Sequence, residues 1–176
     1  MPTGPEREAP MWTLGAFNAM DAADAARVLT ACCASRAWAE KLVSGRPYAS
    51  TAALKAAALA GFDALEASEL AVAHAAHPKI GGPGGTEATW SRDEQSRAMT
   101  AGEKVQAALA EANAAYERRF GKVFLICATG LTGEQILAEA QRRLGNDDAT
   151  EYAESVAELR KIVALRLDKS FEEARP

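Results

Sequence analysis

Histidine is almost missing from this chain. Its 176 residues contain two, His74 and His77, three positions apart in the stretch HAAHPKIGGPGG. Imidazole chemistry near neutral pH therefore has one place to happen. Cysteine is scarce as well. Cys32, Cys33 and Cys127 make an odd count, and the first two are adjacent within a helical pattern. That argues against a disulfide framework and for a reducing compartment, so a cytoplasmic protein is expected. No apolar run approaches the ~20 residues of a membrane span, and no membrane partner is expected. The net charge is -4 and the pI about 5.3, with no basic stripe interleaved with aromatics, which argues against nucleic acid as a partner. Runs of β-branched residues are scarce and alanine is abundant, favouring helices over sheets. There is no internal repeat, heptad run or low-complexity linker. The N-terminal MPTGPEREAP is polar and acidic and is read as no signal peptide, and the C-terminal FEEARP carries no Ser-Lys-Leu address.

What is present is a series of capped helical patterns. Residues 1–12 hold three of the seven prolines and are read as a flexible arm, leaving 13–176 as a single all-α domain, a compact multi-helix bundle. LGAFNAM is a short helix. DAADAARVLTACCA opens on an aspartate N-cap and repeats Ala25, Val28, Leu29 and Cys32 at helical spacing. SRAWAEKLVSG starts on Ser35 and stops at Gly45. The break Arg46-Pro47-Tyr48 follows. STAALKAAALAGF places Leu54, Ala58 and Phe62 on one face. EASELAVAHAA, with Leu70 and Val72 inward, must end near His77, because Pro78 disfavours helical geometry in the residue before it. The longest helix is expected from Ser91 to about Arg118. KVFLICATG reads as a strand or an extended segment crossing the core. Thr132 and Gln135 form a capping box. The last helix begins at Asp148 or Thr150.

Four features could carry chemistry. His74 reads as a surface or half-buried helix residue. His77 sits at a helix C-terminus, where the macrodipole favours its protonated form, beside glycines that let a ligand approach the backbone. It serves either as a cap or as an acid/base group. In WSRDEQ, the Ser91-x-x-Glu94 pattern is a capping box, yet Ser91, Glu94 and Gln95 also make a polar cluster at a helix N-terminus. In the last helix, Tyr152, Val156, Leu159 and Val163 form an apolar stripe whose next position is Arg166. A buried arginine there needs an anion, either a structural glutamate or a substrate carboxylate. Finally, the extended FGKVFLICATG leaves backbone groups in need of partners, which a heterocycle with ureido groups could supply. A zinc site on His74, His77 and Glu94 is the rival to an acid/base role for His77. A non-catalytic helical interaction module is the second rival.

Taken in order, FNAM, CCASRAW, RPY, HPKIG, WSRDEQ, NAAYERRFGKVFLICATG, RLGN and ALRL resemble the 2-oxo-4-hydroxy-4-carboxy-5-ureidoimidazoline (OHCU) decarboxylases, from about Phe17 to Leu167. The resemblance implies an all-α fold and the loss of CO2 from OHCU to give S-allantoin, the last step from urate to allantoin. It implies no metal, no organic cofactor and a homodimer. It makes His77 the catalytic histidine and Glu94 its carboxylate partner. Ser91, Gln95 and Arg166 would bind substrate, and Pro78 with the backbone of Phe124, Leu125, Ile126, Cys127 and Ala128 would form the pocket wall. ATGLTG departs from the pattern by lacking an arginine that some members carry.

Overall fold

The computed structural model describes residues 11–79 and 102–172. Among these residues the fold is all-α. Eight helices are present: α1 (Leu14–Ala19), α2 (Ala22–Thr30), α3 (Arg36–Ser44), α4 (Thr51–Asp63), α5 (Ala67–Ala75), α6 (Glu103–Phe120), α7 (Gly133–Arg143) and α8 (Asp148–Ser170). Two short strands, β1 (Trp12–Thr13) and β2 (Phe171–Glu172), pair in parallel, Trp12 opposite Phe171. Trp12 is therefore not part of a free arm, because strand pairing holds its backbone. The chain divides into two compact units. One comprises the residues up to Leu65 with those from Val163 onward, and the other runs from Glu66 to Ile162.

In the first unit the helix starts follow from side-chain caps. Thr13, Asp21, Ser35 and Ser50 each accept a hydrogen bond from the backbone N–H three residues on, satisfying a donor that the first helical turn leaves unpaired. Helix α2 stops at Thr30, short of the two cysteines, although Ala25, Leu29, Cys32 and Cys33 are all buried. In α4 the buried residues are Leu54, Ala58 and Phe62, the face that the spacing requires. The Trp38 indole donates to the Ala58 carbonyl at 2.8 Å. Gly61 makes room for that ring, since a Cβ there would lie 3.3 Å from Trp38 Cδ1. The Phe17 and Phe171 rings meet edge to face at 5.0 Å.

The Arg46-Pro47-Tyr48 break is a clamp as well as an interruption. Arg46 donates to the carbonyls of Phe17 at 2.8 Å and Met20 at 2.6 Å, capping the open end of α1, and to Val43 at 3.1 Å. Asn18 and Tyr48 exchange two bonds, Asn18 Nδ2 to the Tyr48 carbonyl at 3.0 Å and Tyr48 N–H to Asn18 Oδ1 at 2.9 Å. Tyr48 Oη also donates to the Leu42 carbonyl at 2.7 Å. The glycine at 45 follows from this contact, since a Cβ there would lie 2.6 Å from the Tyr48 hydroxyl.

In the second unit, α6 packs on α7. Their shared core holds Leu109, Ala112, Tyr116, Ile136 and Ala140 together with Phe124, Ile126 and Ala128. The predicted capping box forms, with Thr132 and Gln135 bonding each other's backbone N–H at 2.9 and 3.1 Å. At the start of α8, it is Asp147 whose side chain accepts from Thr150 N–H, at 2.7 Å. The long helix predicted to run from Ser91 is broken at Gly102, which has a ψ of 159° and is the N-cap from which α6 starts; residues 80–101 lie outside the described residues.

Replacing Arg46 with Met should cost about 2 kcal/mol, since the carbonyls at the end of α1 lose charge-assisted partners in a half-buried setting. A thermal melt should show a Tm lower by roughly 4–8 °C. An unchanged Tm would mean that the clamp contributes nothing.

Candidate active site

The second unit is built around the end of α5. Pro78 follows His77 at once, and the helix closes with the Ala76 N–H on the Val72 carbonyl and the His77 N–H on the His74 carbonyl at 3.1 Å. Both histidines are inside, His74 at 8% and His77 at 4% exposure. The expectation for His74 was a surface or half-buried position, and the expectation for Val72 was an inward one. The structure reverses both, leaving Val72 57% exposed. The reason is compositional. With alanine at 67, 71, 73 and 75, α5 has no strongly apolar face for periodicity to reveal.

Helix α6 ends on Gly121, whose φ of 72° closes it in the left-handed conformation that glycine adopts without strain. Residues 123–128 then form neither helix nor strand. Alternation governs them. The side chains of Phe124, Ile126 and Ala128 enter the core shared by α6 and α7, while the intervening residues have backbone groups pinned by side chains. His74 Nε2 lies 2.6 Å from the Val123 carbonyl. Arg143 donates to the Leu125 carbonyl at 2.6 Å. Glu158 accepts from the Cys127 N–H at 3.4 Å. The backbone groups that such a stretch leaves open are thus partly filled by the protein itself.

Behind this wall lies a buried ion pair. Arg143 and Glu151 are 1% and 0% exposed. The Arg143 Nε donates to Glu151 Oε1 at 2.9 Å, and a second guanidinium nitrogen also reaches that oxygen. Tyr116 Oη donates to Glu151 Oε1 and Asn146 Nδ2 to Oε2, while Ser155 bonds both partners. Burial pushes the Glu151 carboxyl up, but the donors from Arg143, Tyr116 and Asn146 more than reverse this, holding it below the usual carboxylate range. The Tyr116 phenol is pushed up to about 12, first by burial and then by its bond to Glu151. Burial likewise holds His74 below the ordinary imidazole value, so it is neutral at pH 7 with its proton on the nitrogen facing Val123.

The inward stripe of α8 holds the predicted Leu159, Val163 and Arg166 but starts one position earlier than predicted. Glu151, Ser155, Leu159, Ile162, Val163, Arg166 and Leu167 are buried, while Tyr152 is 44% exposed. Glu151 and Ser155 were missed because a polar pair inside a helix looks like a solvated face until its partner arginine is located. Their signal was RLGN, the sequence that carries Arg143 and Asn146.

Of the predicted site residues, His77 is buried and Pro78 half-buried at the end of α5. Phe124, Leu125, Ile126 and Ala128 are buried, and Cys127 is half-buried. The structure ties the end of α5 to the beginning of the wall through His74. Arg166 is completely buried and belongs to the first unit. Ser91, Glu94 and Gln95 lie outside the described residues. A cavity of about 620 Å³ is lined by His74, Lys122, Val123, Tyr152, Val156 and Leu159 among others, and neither His77 nor Phe124–Ala128 is in its lining.

Within this all-α domain, His77 is buried at a proline-terminated helix end, while His74 bonds the 123–128 segment and lines the cavity. The OHCU decarboxylase family model matches residues 18–168, and the chain belongs to that family. It is 35% identical over 131 residues to the 2-oxo-4-hydroxy-4-carboxy-5-ureidoimidazoline decarboxylase of Amia calva, covering 70% of this chain and 74% of that one. It is 32% identical over 146 residues to the uric acid degradation bifunctional protein TTL of Arabidopsis thaliana, covering 80% of this chain. The match spans only 45% of the Arabidopsis protein. The crystal structure of an OHCU decarboxylase in the presence of (S)-allantoin superposes with a TM-score of 0.69 at 28% identity, covering 80% of this chain and 94% of that one.

Glu151 and His74 both have depressed folded values, so each contributes stability that is complete above its ordinary range and lost as pH falls through the folded value. The Tm should be flat near neutrality and fall on acidification, first below about pH 6.5 and more steeply through the carboxylate range. A Tm that rises with acid would contradict this. Arg143→Met, which strands a buried carboxylate, should cost ~3–5 kcal/mol in a denaturant melt.

Proposed function

We propose that this chain decarboxylates OHCU to S-allantoin, using His77 as the acid/base group and neither a metal nor an organic cofactor. The observation that carries the reading is the likeness along most of the chain to an OHCU decarboxylase crystallised in the presence of (S)-allantoin, joined to a buried histidine at the helix end where the sequence reads HPKIG.

The chemistry suits these residue types. Loss of CO2 leaves an electron pair on the carbon that bore the carboxylate. That pair spreads into the neighbouring ring C=N, and protonation of the neighbouring carbon on one face sets the stereochemistry. The carboxylate must be held out of the ring plane so that the breaking bond overlaps the acceptor system. His77 supplies or shuttles the proton. Glu94 orients the imidazole or repels the departing carboxylate. Arg166, completely buried, and the Gln95 amide fix the anionic ring and ureido arm, while Ser91 adds a hydrogen bond. Pro78 and the backbone of Phe124–Ala128 form the wall. The same reading makes the protein a homodimer of the cytoplasm; that Cys32, Cys33 and Cys127 form no disulfide supports the reducing compartment.

The test is optical. Urate, urate oxidase and hydroxyisourate hydrolase generate OHCU in the cuvette, and the protein should accelerate formation of S-allantoin over the racemate. His77→Asn should remain folded and lose at least ~10²-fold in turnover. Near-native turnover by that variant would sink the assignment. Glu94→Gln should fold and react slowly, whereas a residue that only caps a helix would lose stability and keep its rate. Arg166→Met should weaken affinity for OHCU and for allantoin. Unchanged affinity would return Arg166 to a purely structural ion pair.

A further inference from the structure

The geometry points to His74 as a positioning residue, holding the wall in place relative to His77 through its bond to the Val123 carbonyl. This rests on the reading of His77 and the wall as the reaction site.

Two short links make the connection. The His74 ring donates to the Val123 carbonyl at 2.6 Å, and the His74 carbonyl accepts from the His77 N–H at 3.1 Å. The wall and the reactive imidazole are thus joined through one residue, across a single helical turn. The other two pins on the wall, Arg143 and Glu158, come from α7 and α8. His74 is the pin on α5, three residues before His77 and bonded to its N–H. It is buried to 8% exposure and lines the cavity. Because it is neutral at pH 7, it keeps a defined tautomer, with Nε2 as donor and Nδ1 as acceptor. Misplacing reacting groups by about an ångström costs around two orders of magnitude in rate, and one missing bond at the start of such a segment permits displacements of that size.

Two variants test this in the full-length chain. His74→Leu keeps the bulk and removes the donor. His74→Gln places an amide nitrogen close to where Nε2 sits. With OHCU generated in situ, Leu should lower kcat roughly 10- to 100-fold, with a smaller change in KM, at a temperature well below its melting point. Gln should restore most of the loss. Hydrogen exchange at the amides of 124–128, followed by mass spectrometry, should quicken in Leu and return towards wild type in Gln. A Leu variant within about twofold of wild-type kcat, a Gln variant no better than Leu, or unchanged exchange in Leu would each overturn the proposal. If the wild-type protein itself fails to process OHCU, it is the proposed function that falls, and the exchange data alone decide whether His74 holds the wall.

Discussion

A stretch that is neither helix nor strand inside a helical protein must find partners for its backbone without a neighbouring strand. That constraint governs the second unit of this molecule. Residues 123–128 bury alternate side chains in the core between α6 and α7 and hand the intervening backbone groups to His74, Arg143 and Glu158. Arg143 can serve only because Glu151 neutralises it, and Glu151 remains ionised only because Tyr116, Asn146 and Arg143 donate to it. Unpaired, each charge would be expensive to bury; together, with their hydrogen bonds filled, they are tolerated and fix a geometry. The ion pair is therefore subordinate to the wall, whose carbonyls it helps to satisfy.

The legible and the hidden parts of this fold differ for physical reasons. Local chemistry was readable. Asp21, Ser35 and Thr132 announce helix starts, Gly121 an end and Pro78 a stop, because each acts within one turn of itself. The apolar face of α4 was readable because Leu54 and Phe62 contrast with the alanines around them. The inner face of α5 was not, since alanine on every side leaves no contrast, and His74 was consequently placed outside. The stripe on α8 begins at Glu151 rather than at Tyr152, one position from the apolar reading. Burial at Glu151 depends on an arginine on another helix, and local sequence does not reveal that distance. Arg166 was found as an arginine interrupting an apolar pattern, and it is completely buried.

The segments that identified the family divide into two kinds. FNAM and RPY carry Asn18, Arg46 and Tyr48, which clamp one another's backbone in the first unit. RLGN carries Arg143 and Asn146, which meet Glu151. These are scaffolding. HPKIG carries the buried His77, and FLICA the wall. On the proposed function, a family signature of this sort mixes residues that hold a shape with residues that act.

Because the wall is pinned by side chains, its position can be adjusted in a way that a sheet does not permit. A strand in a sheet changes register by whole residues, about 3.3 Å at a time, and a one-residue slip turns every side chain to the opposite face. A segment tethered by an imidazole, a guanidinium and a carboxylate can shift by fractions of an ångström when one tether is exchanged for a slightly longer or shorter one. The core-facing residues at 124, 126 and 128 need not turn over. On the proposed function, such a wall would let a lineage regrade the fit of a small heterocycle by single substitutions at positions remote from the ligand, each acting through one backbone carbonyl or amide.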